Sequence, residues 1–177
     1  MKKFKKTDTH YLAVKDFYGD SKAERSGIPY ITHIDEGIRI LEEIDASYDA
    51  FCGYCLHPLF QSDESLIEFL LPGSKIDDII YDYIITPKSI ALAMEYRRVA
   101  NSYLSKGSPE SLVKTPIAAV YEMLIADKVQ NFKDFELHHF GKHPRSQELM
   151  VYFKNWMKIL GISDTKYFEL KQIITNK

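Results

Sequence analysis

Cysteine is scarce in this chain, with two residues among 177, too few for a disulfide framework. No apolar run is long enough to cross a bilayer. The N-terminal stretch MKKFKKTDTHYLAVKDF is basic but lacks the apolar centre of a secretory signal. An excess of one charge is missing too: Lys and Arg total 23 and Asp and Glu total 25, a net charge of −2. That excludes a global basic field of the kind that draws a protein to nucleic acid or anionic lipid. There is no internal repeat and no low-complexity segment. These absences lead to the expectation of a cytoplasmic protein with no membrane and no nucleic-acid partner.

Hydrophobic residues make up 45% of the chain and charged residues 27%, enough for one sizeable core in one domain spanning 1–177. Helical periodicity dominates. A first helix, capped by Thr7 or Asp8, sets Tyr11, Leu12, Val14 and Phe17 on one face. After the loop KAERSGIPY, a second helix runs from Ile31 to about Ile44 and buries Ile34, Ile38, Leu41 and Ile44. His33 lies near its start, where the macrodipole favours neutral imidazole. A third helix, Tyr48 to about Leu56, is apolar nearly all round and therefore central. It delivers His57, and Pro58 predicts that the helix ends or kinks there.

Ser62 or Asp63 opens a short helix through Leu71. Ile76 to Ile85 reads as a helix, with a strand as the alternative. Thr86-Pro87 opens a long helix ending near Leu104. A further long helix is expected from about Pro116 to Leu137, then a loop HHFGKHPRS, a helix bearing Leu149, Tyr152, Phe153, Trp156 and Leu160, and a last helix capped near Ser163-Asp164. The expected architecture is an all-α, single-domain helical bundle.

Several clusters carry chemical possibilities. Cys52 and Cys55 form a lone C-x-x-C inside an apolar run, which favours core packing over a zinc or redox site. His138, His139 and His143 cluster as solvated loop residues. Arg97-Arg98 and His143-Pro144-Arg145 are small basic spots, either ion-paired surface or a phosphate clamp. The aromatic content of 13% and the helix around Trp156 could supply a homodimer face or an internal core. His33, His57 and Asp127 differ from these, because each sits on a separate expected helix among apolar neighbours.

Three blocks resemble the HD-domain phosphohydrolase superfamily, most nearly the RelA/SpoT-type alarmone hydrolase domain and its small stand-alone forms. They are RSGIPYITH from Arg25 to His33, AFCGYCLH from Ala50 to His57, and LIADKVQN from Leu124 to Asn131. The likeness covers about residues 22–135, leaving a C-terminal helical extension at about 143–177. ADKVQNFKDF, HPRSQEL and EYRRVANSYL also resemble small HD-like proteins of bacteriophages, which would make the cytoplasm that of a host.

In that family two histidines, the aspartate after the second, and a distant aspartate hold one divalent metal. The metal polarises a phosphate oxygen and activates water. The resemblance implies that His33, His57 and Asp127 hold a Mn, Zn or Fe ion here, or that the site is empty, since Pro58 stands where the second ligand's aspartate belongs. Gln61-Ser62 stands where the alarmone hydrolases carry a Glu-Asp pair. Arg25 is implied to stack on a nucleotide base, with Tyr30, Lys128 and Asn131 in the nucleotide pocket. The expected function is binding of an alarmone-like or other polyphosphorylated nucleotide with lost or altered hydrolysis. The alternatives are an active metal-dependent nucleotide (pyro)phosphohydrolase and a structural or protein-interaction module.

Overall fold

The computed structural model describes residues 3–24 and 26–176. Nine α-helices form among them: α1 (Thr9–Tyr18), α2 (Ile31–Glu43), α3 (Tyr48–Leu56), α4 (Asp63–Phe69), α5 (Lys75–Asp82), α6 (Pro87–Ser102), α7 (Ala118–Asp134), α8 (Ser146–Ile159) and α9 (Asp164–Thr175). The architecture is all-α. Five starts follow directly from sequence: the side chains of Ser47, Ser62, Ser74, Thr86 and Ser163 each accept a backbone N–H three residues on. Each such cap contributes about 1 kcal/mol.

Helix α3 lies at the centre. Every residue from Ala50 to Leu56 is buried, Cys52 and Cys55 included, and the helix packs against α1, α2, α6 and α7. One close approach fixes how α3 lies on α2. A Cβ on Gly37 would fall 2.0 Å from the Tyr54 hydroxyl oxygen, so only glycine leaves room for that ring. Tyr54 then reaches the first turn of α2, where its hydroxyl donates to the carbonyl of His33 at 3.2 Å.

Departures from the expected boundaries have local causes. α3 ends at Leu56, as Pro58 requires, yet His57 keeps right-handed helical angles (φ −55°, ψ −33°). The chain tightens into a 3₁₀ turn over His57–Phe60, where proline sits at an early position that needs no N–H donor. In α1, Tyr11 and Val14 are buried but Leu12 faces outward. Ile44 lies just past the end of α2 and is only partly buried. α5 settles the ambiguous DDIIYDYII run as helix, and the described residues carry no strand beyond an isolated bridge between Lys22 and Pro29.

The largest departure follows α7. The chain continues as a π turn over Phe135–His139, with the Phe140 N–H donating to the Phe135 carbonyl at 2.7 Å. His138 and His139 therefore belong to a defined turn and not to a loose loop. α8 and α9 pack on α7, and α9 also on α2, so one hydrophobic core runs from Phe4 to Ile174. Trp156 is fully buried beside Tyr103 and Tyr152. Trp156 therefore belongs to the internal core. Among the described residues no helix is long and apolar enough to cross a membrane.

Candidate metal centre and its cavity

Three helices bring His33, His57 and Asp127 together. His33 comes from the first turn of α2, His57 from the end of α3 and Asp127 from the middle of α7. One ligand atom from each lies within 4.8 Å of the others, the one such group of three among the described residues. His33 Nε2 is 3.2 Å from His57 Nε2 and 3.5 Å from Asp127 Oδ1, and His57 Nε2 is 3.8 Å from the same oxygen. Metal–ligand bonds of about 2.0–2.1 Å at tetrahedral angles put neighbouring ligand atoms about 3.3 Å apart. The trio has that spacing.

The hydrogen bonds around the trio fix which ring nitrogens face inward. His57 Nδ1 lies 2.6 Å from the carbonyl oxygen of Tyr54, which can only accept, so Nδ1 carries the hydrogen. His33 Nδ1 lies 2.6 Å from Gln130 Oε1. The Gln130 amide nitrogen donates to Glu36 at 2.9 Å and to Asp134 at 2.8 Å, which leaves its oxygen as the acceptor for His33. Each imidazole therefore donates outward through Nδ1 and, in its neutral form, turns a lone pair inward through Nε2. With the Asp127 carboxylate, three electron-pair donors converge. A cation satisfies that arrangement, and the outer hydrogen bonds are those that orient metal-ligating histidines.

Electrostatics agree. Burial, and then the facing His33, push His57 down to about 3, so its imidazole is neutral near pH 7. Burial works against the Asp127 carboxylate, but Lys128, then His33 and His57, outweigh it and hold Asp127 well below the usual carboxylate range. Burial likewise disfavours the Lys128 ammonium, yet Asp127 prevails and keeps Lys128 above its ordinary value. Lys128 Nζ is 2.9 Å from Asp127 Oδ2 and 5.0 Å from the centre of the Trp156 ring. Asn131 donates to Asp127 Oδ1 at 2.9 Å, steadying the oxygen that faces the histidines.

The trio forms the floor of a cavity of about 590 Å³. Tyr30, Lys128 and Asn131 all line it. Tyr30 stacks on Tyr18 with ring centres 5.4 Å apart, making an aromatic wall at the mouth. Lys128 contributes its stem, since its charge is engaged with Asp127. Arg25 lies outside the described residues, although Ala23 and Ser26 on either side of it reach the cavity. Pro58 and Gln61 line it as well. Gln61 donates to Asn101 at 3.3 Å, and Ser62 is taken up with capping α4, so neither stands ready as a base.

Arg97-Arg98 does not form a phosphate clamp. Arg97 pairs with Asp63, and Arg98 pairs with Glu95 at 2.7 Å. Arg145 is similarly engaged with Glu148 and with Ser105. For two groups of residues the place in the site escaped the sequence reading, which put the histidines of the second in a solvated loop. Gln130 orients His33; its position three residues after Asp127, on the same helical face, was the available signal. The second group is the far wall of the cavity, where His138, His139 and His143 join Leu149, Tyr152 and Phe153 of α8. The C-terminal extension thus completes the cavity. Comparison of the chain with family models, curated proteins and solved structures gives no significant match to any.

Proposed function

We propose that this protein binds a phosphorylated nucleotide in the cavity, beside one divalent transition metal held by His33, His57 and Asp127, on an HD-like helical scaffold. The observation that carries this reading is the convergence of two inward Nε2 atoms and one carboxylate oxygen, 3.2 to 3.8 Å apart, at the floor of the cavity. A metal there would supply Lewis-acid polarisation of a ligand oxygen. The volume, about 590 Å³, lies within the range of about 300–1,000 Å³ common for small-molecule sites.

With a divalent ion on the trio, the charge balance favours an anionic ligand. The acidic residues lining the cavity are Asp127 and Asp134. Asp127 is paired with Lys128 at 2.9 Å, and Lys133 is shared between Asp134 and Glu36, 2.6 Å from each. With proline at position 58 and Gln61 turned to Asn101, no carboxylate besides Asp127 lies within ligating reach of the two histidines among the described residues. We therefore read the protein as a binder whose hydrolysis is lost or slow, acting as a sensor or sequestering protein.

Thermal melts against a panel of nucleotides, with and without Mn or Zn, test this, followed by product analysis of each hit. Ligand binding to the folded state raises the melting temperature with dose. A dose-dependent rise with a polyphosphorylated nucleotide and no product is the expected result. Product formation converts the reading to a metal-dependent phosphohydrolase. No shift with any nucleotide, with or without metal, contradicts both.

A further inference from the structure

The wall opposite the metal trio inverts the usual pattern of burial. In the π turn and the residues after it, Leu137 and Phe140 are 47% and 43% exposed, while His138 and His139 are turned into the cavity. A segment selected only for packing would bury the leucine and phenylalanine and expose the imidazoles. π turns of this kind are costly and frequent at functional sites. His143 joins the two histidines on the same wall, and Lys142 shares a second hollow with all three.

We infer that His138, His139, Lys142 and His143 form a polyanion-binding rim that takes the phosphate tail of a ligand lying in the cavity. The inference rests on the reading of the cavity as a nucleotide site and names the end at which the phosphates sit. The His143 tautomer supports an anion over a second metal. His143 Nδ1 accepts the backbone N–H of Arg145 at 3.0 Å, so Nδ1 carries the lone pair and Nε2 carries the hydrogen. Nε2 is thus a donor, suited to a phosphate oxygen and unsuited to ligating a cation. These three histidines also do not bring three ligand atoms within metal-binding reach, as the His33 trio does.

The remaining cations explain why the tail needs this wall. Lys128, the one lysine on the cavity lining among the described residues, has its charge engaged with Asp127. Arg97 and Arg98 are paired on the surface. Among the described residues the floor therefore offers a phosphate tail no cation beyond the metal. Lys142, exposed on the rim, adds a flexible ammonium to the His143 Nε2–H donor.

Titration calorimetry on the full chain, with inorganic tripolyphosphate as the probe and chelator present, tests the rim without base or metal. Its outcome is therefore independent of the metal centre. Tripolyphosphate should bind the parent protein. His143→Leu and Lys142→Glu should each weaken it about tenfold. Lys154→Glu, the same charge change on the outer surface of α8, should leave it unaltered. Lys142→Glu alters an exposed side chain, so it reports on binding even where His143→Leu disturbs the turn. A nucleoside triphosphate that binds more tightly than tripolyphosphate identifies a nucleotide tail, and equal affinity identifies free condensed phosphate; either supports the rim if both variants weaken it. The inference is overturned if the parent protein does not bind tripolyphosphate, or if Lys142→Glu and Lys154→Glu behave alike. Stoichiometric zinc binding that survives His33→Ala and is lost in His143→Leu would also overturn it, by making the rim a metal site.

Discussion

His33 and His57 face one another through Nε2 at 3.2 Å, and each has its Nδ1 hydrogen committed elsewhere, to Gln130 and to the Tyr54 carbonyl. Where both rings are neutral, two lone pairs at that distance repel unless a proton or a metal cation lies between them. Glycine at position 37 makes the arrangement possible, by letting Tyr54 approach α2 beside His33. Packing, tautomer and site are thus one construction.

Gln130 should matter for metal binding although it touches no metal. Gln130→Met keeps the volume and removes the acceptor for His33 Nδ1. Affinity for Zn or Mn should fall about 10–100-fold, the usual cost of losing an outer partner of a ligating histidine. Competition against a chromophoric chelator measures it. Unchanged affinity would show that His33 needs no orienting bond.

Position 58 tests the gap in the ligand set. Pro58 lines the cavity next to His57 and sits early in the 3₁₀ turn, where an ordinary residue is tolerated. Pro58→Asp should add a fourth ligand and tighten metal binding by about tenfold, or ~1.4 kcal/mol. The same chelator competition reads it. A melting temperature that collapses with no gain in affinity would mean the turn has been rebuilt around proline.

The metal-free protein should lose stability on mild acidification. His57 is pushed down to about 3 by burial and by His33. Its neighbours Asp127 and Lys128 act in opposite senses on it. Between about pH 6.5 and 3 the unfolded state binds the proton that folded His57 refuses. Stability is therefore full above about pH 6.5 and falls as pH drops toward 3, by up to about 1.4 kcal/mol per unit from this group. For a chain of this size that is about 3–5 °C per unit. Asp127, also lowered, adds a loss of the same sign at more acidic pH. His57→Gln should flatten the dependence between pH 6.5 and 4.5. A parallel pair of curves would contradict the neutral, buried assignment.

The end of α5 holds a removable strain. Ile84 has φ +50° and is 84% exposed, with the Ile85 N–H closing onto the Ile80 carbonyl at 3.1 Å. This is the position after a helix where glycine or asparagine is usual. Ile84→Asn relieves the β-branched clash and forfeits little burial. It should raise stability by about 1 kcal/mol. Denaturant melts with an unchanged slope would verify it, and a destabilised variant would refute it.

The His33–His57–Asp127 trio was legible in the sequence because each residue heads or sits in an apolar, strongly periodic helix, and resemblance supplied the pairing. The helices themselves followed from serine and threonine caps and from Pro58 and Pro87. What could not be read required partners distant in sequence. Gln130 acquires its role only when α2 brings His33 and Glu36 against α7. The fate of the Lys128 charge depends on Trp156 arriving from α8. The direction of His138 and His139 depends on a π turn, for which periodicity gives no signal. Arg97 and Arg98, adjacent and basic, suggested a clamp, but Asp63 and Glu95 had already engaged them.

The central claim is that His33, His57 and Asp127 hold a metal through inward Nε2 atoms and one carboxylate oxygen. Elemental analysis of protein purified without chelator, then reloaded with Mn, Zn or Fe, tests it most directly. The parent chain should retain about one metal per molecule, as a three-ligand site does, and His33→Ala and Asp127→Asn should retain none while still folded. A folded parent chain that takes up no metal from any of these ions, or a variant that keeps its full complement, would contradict the account.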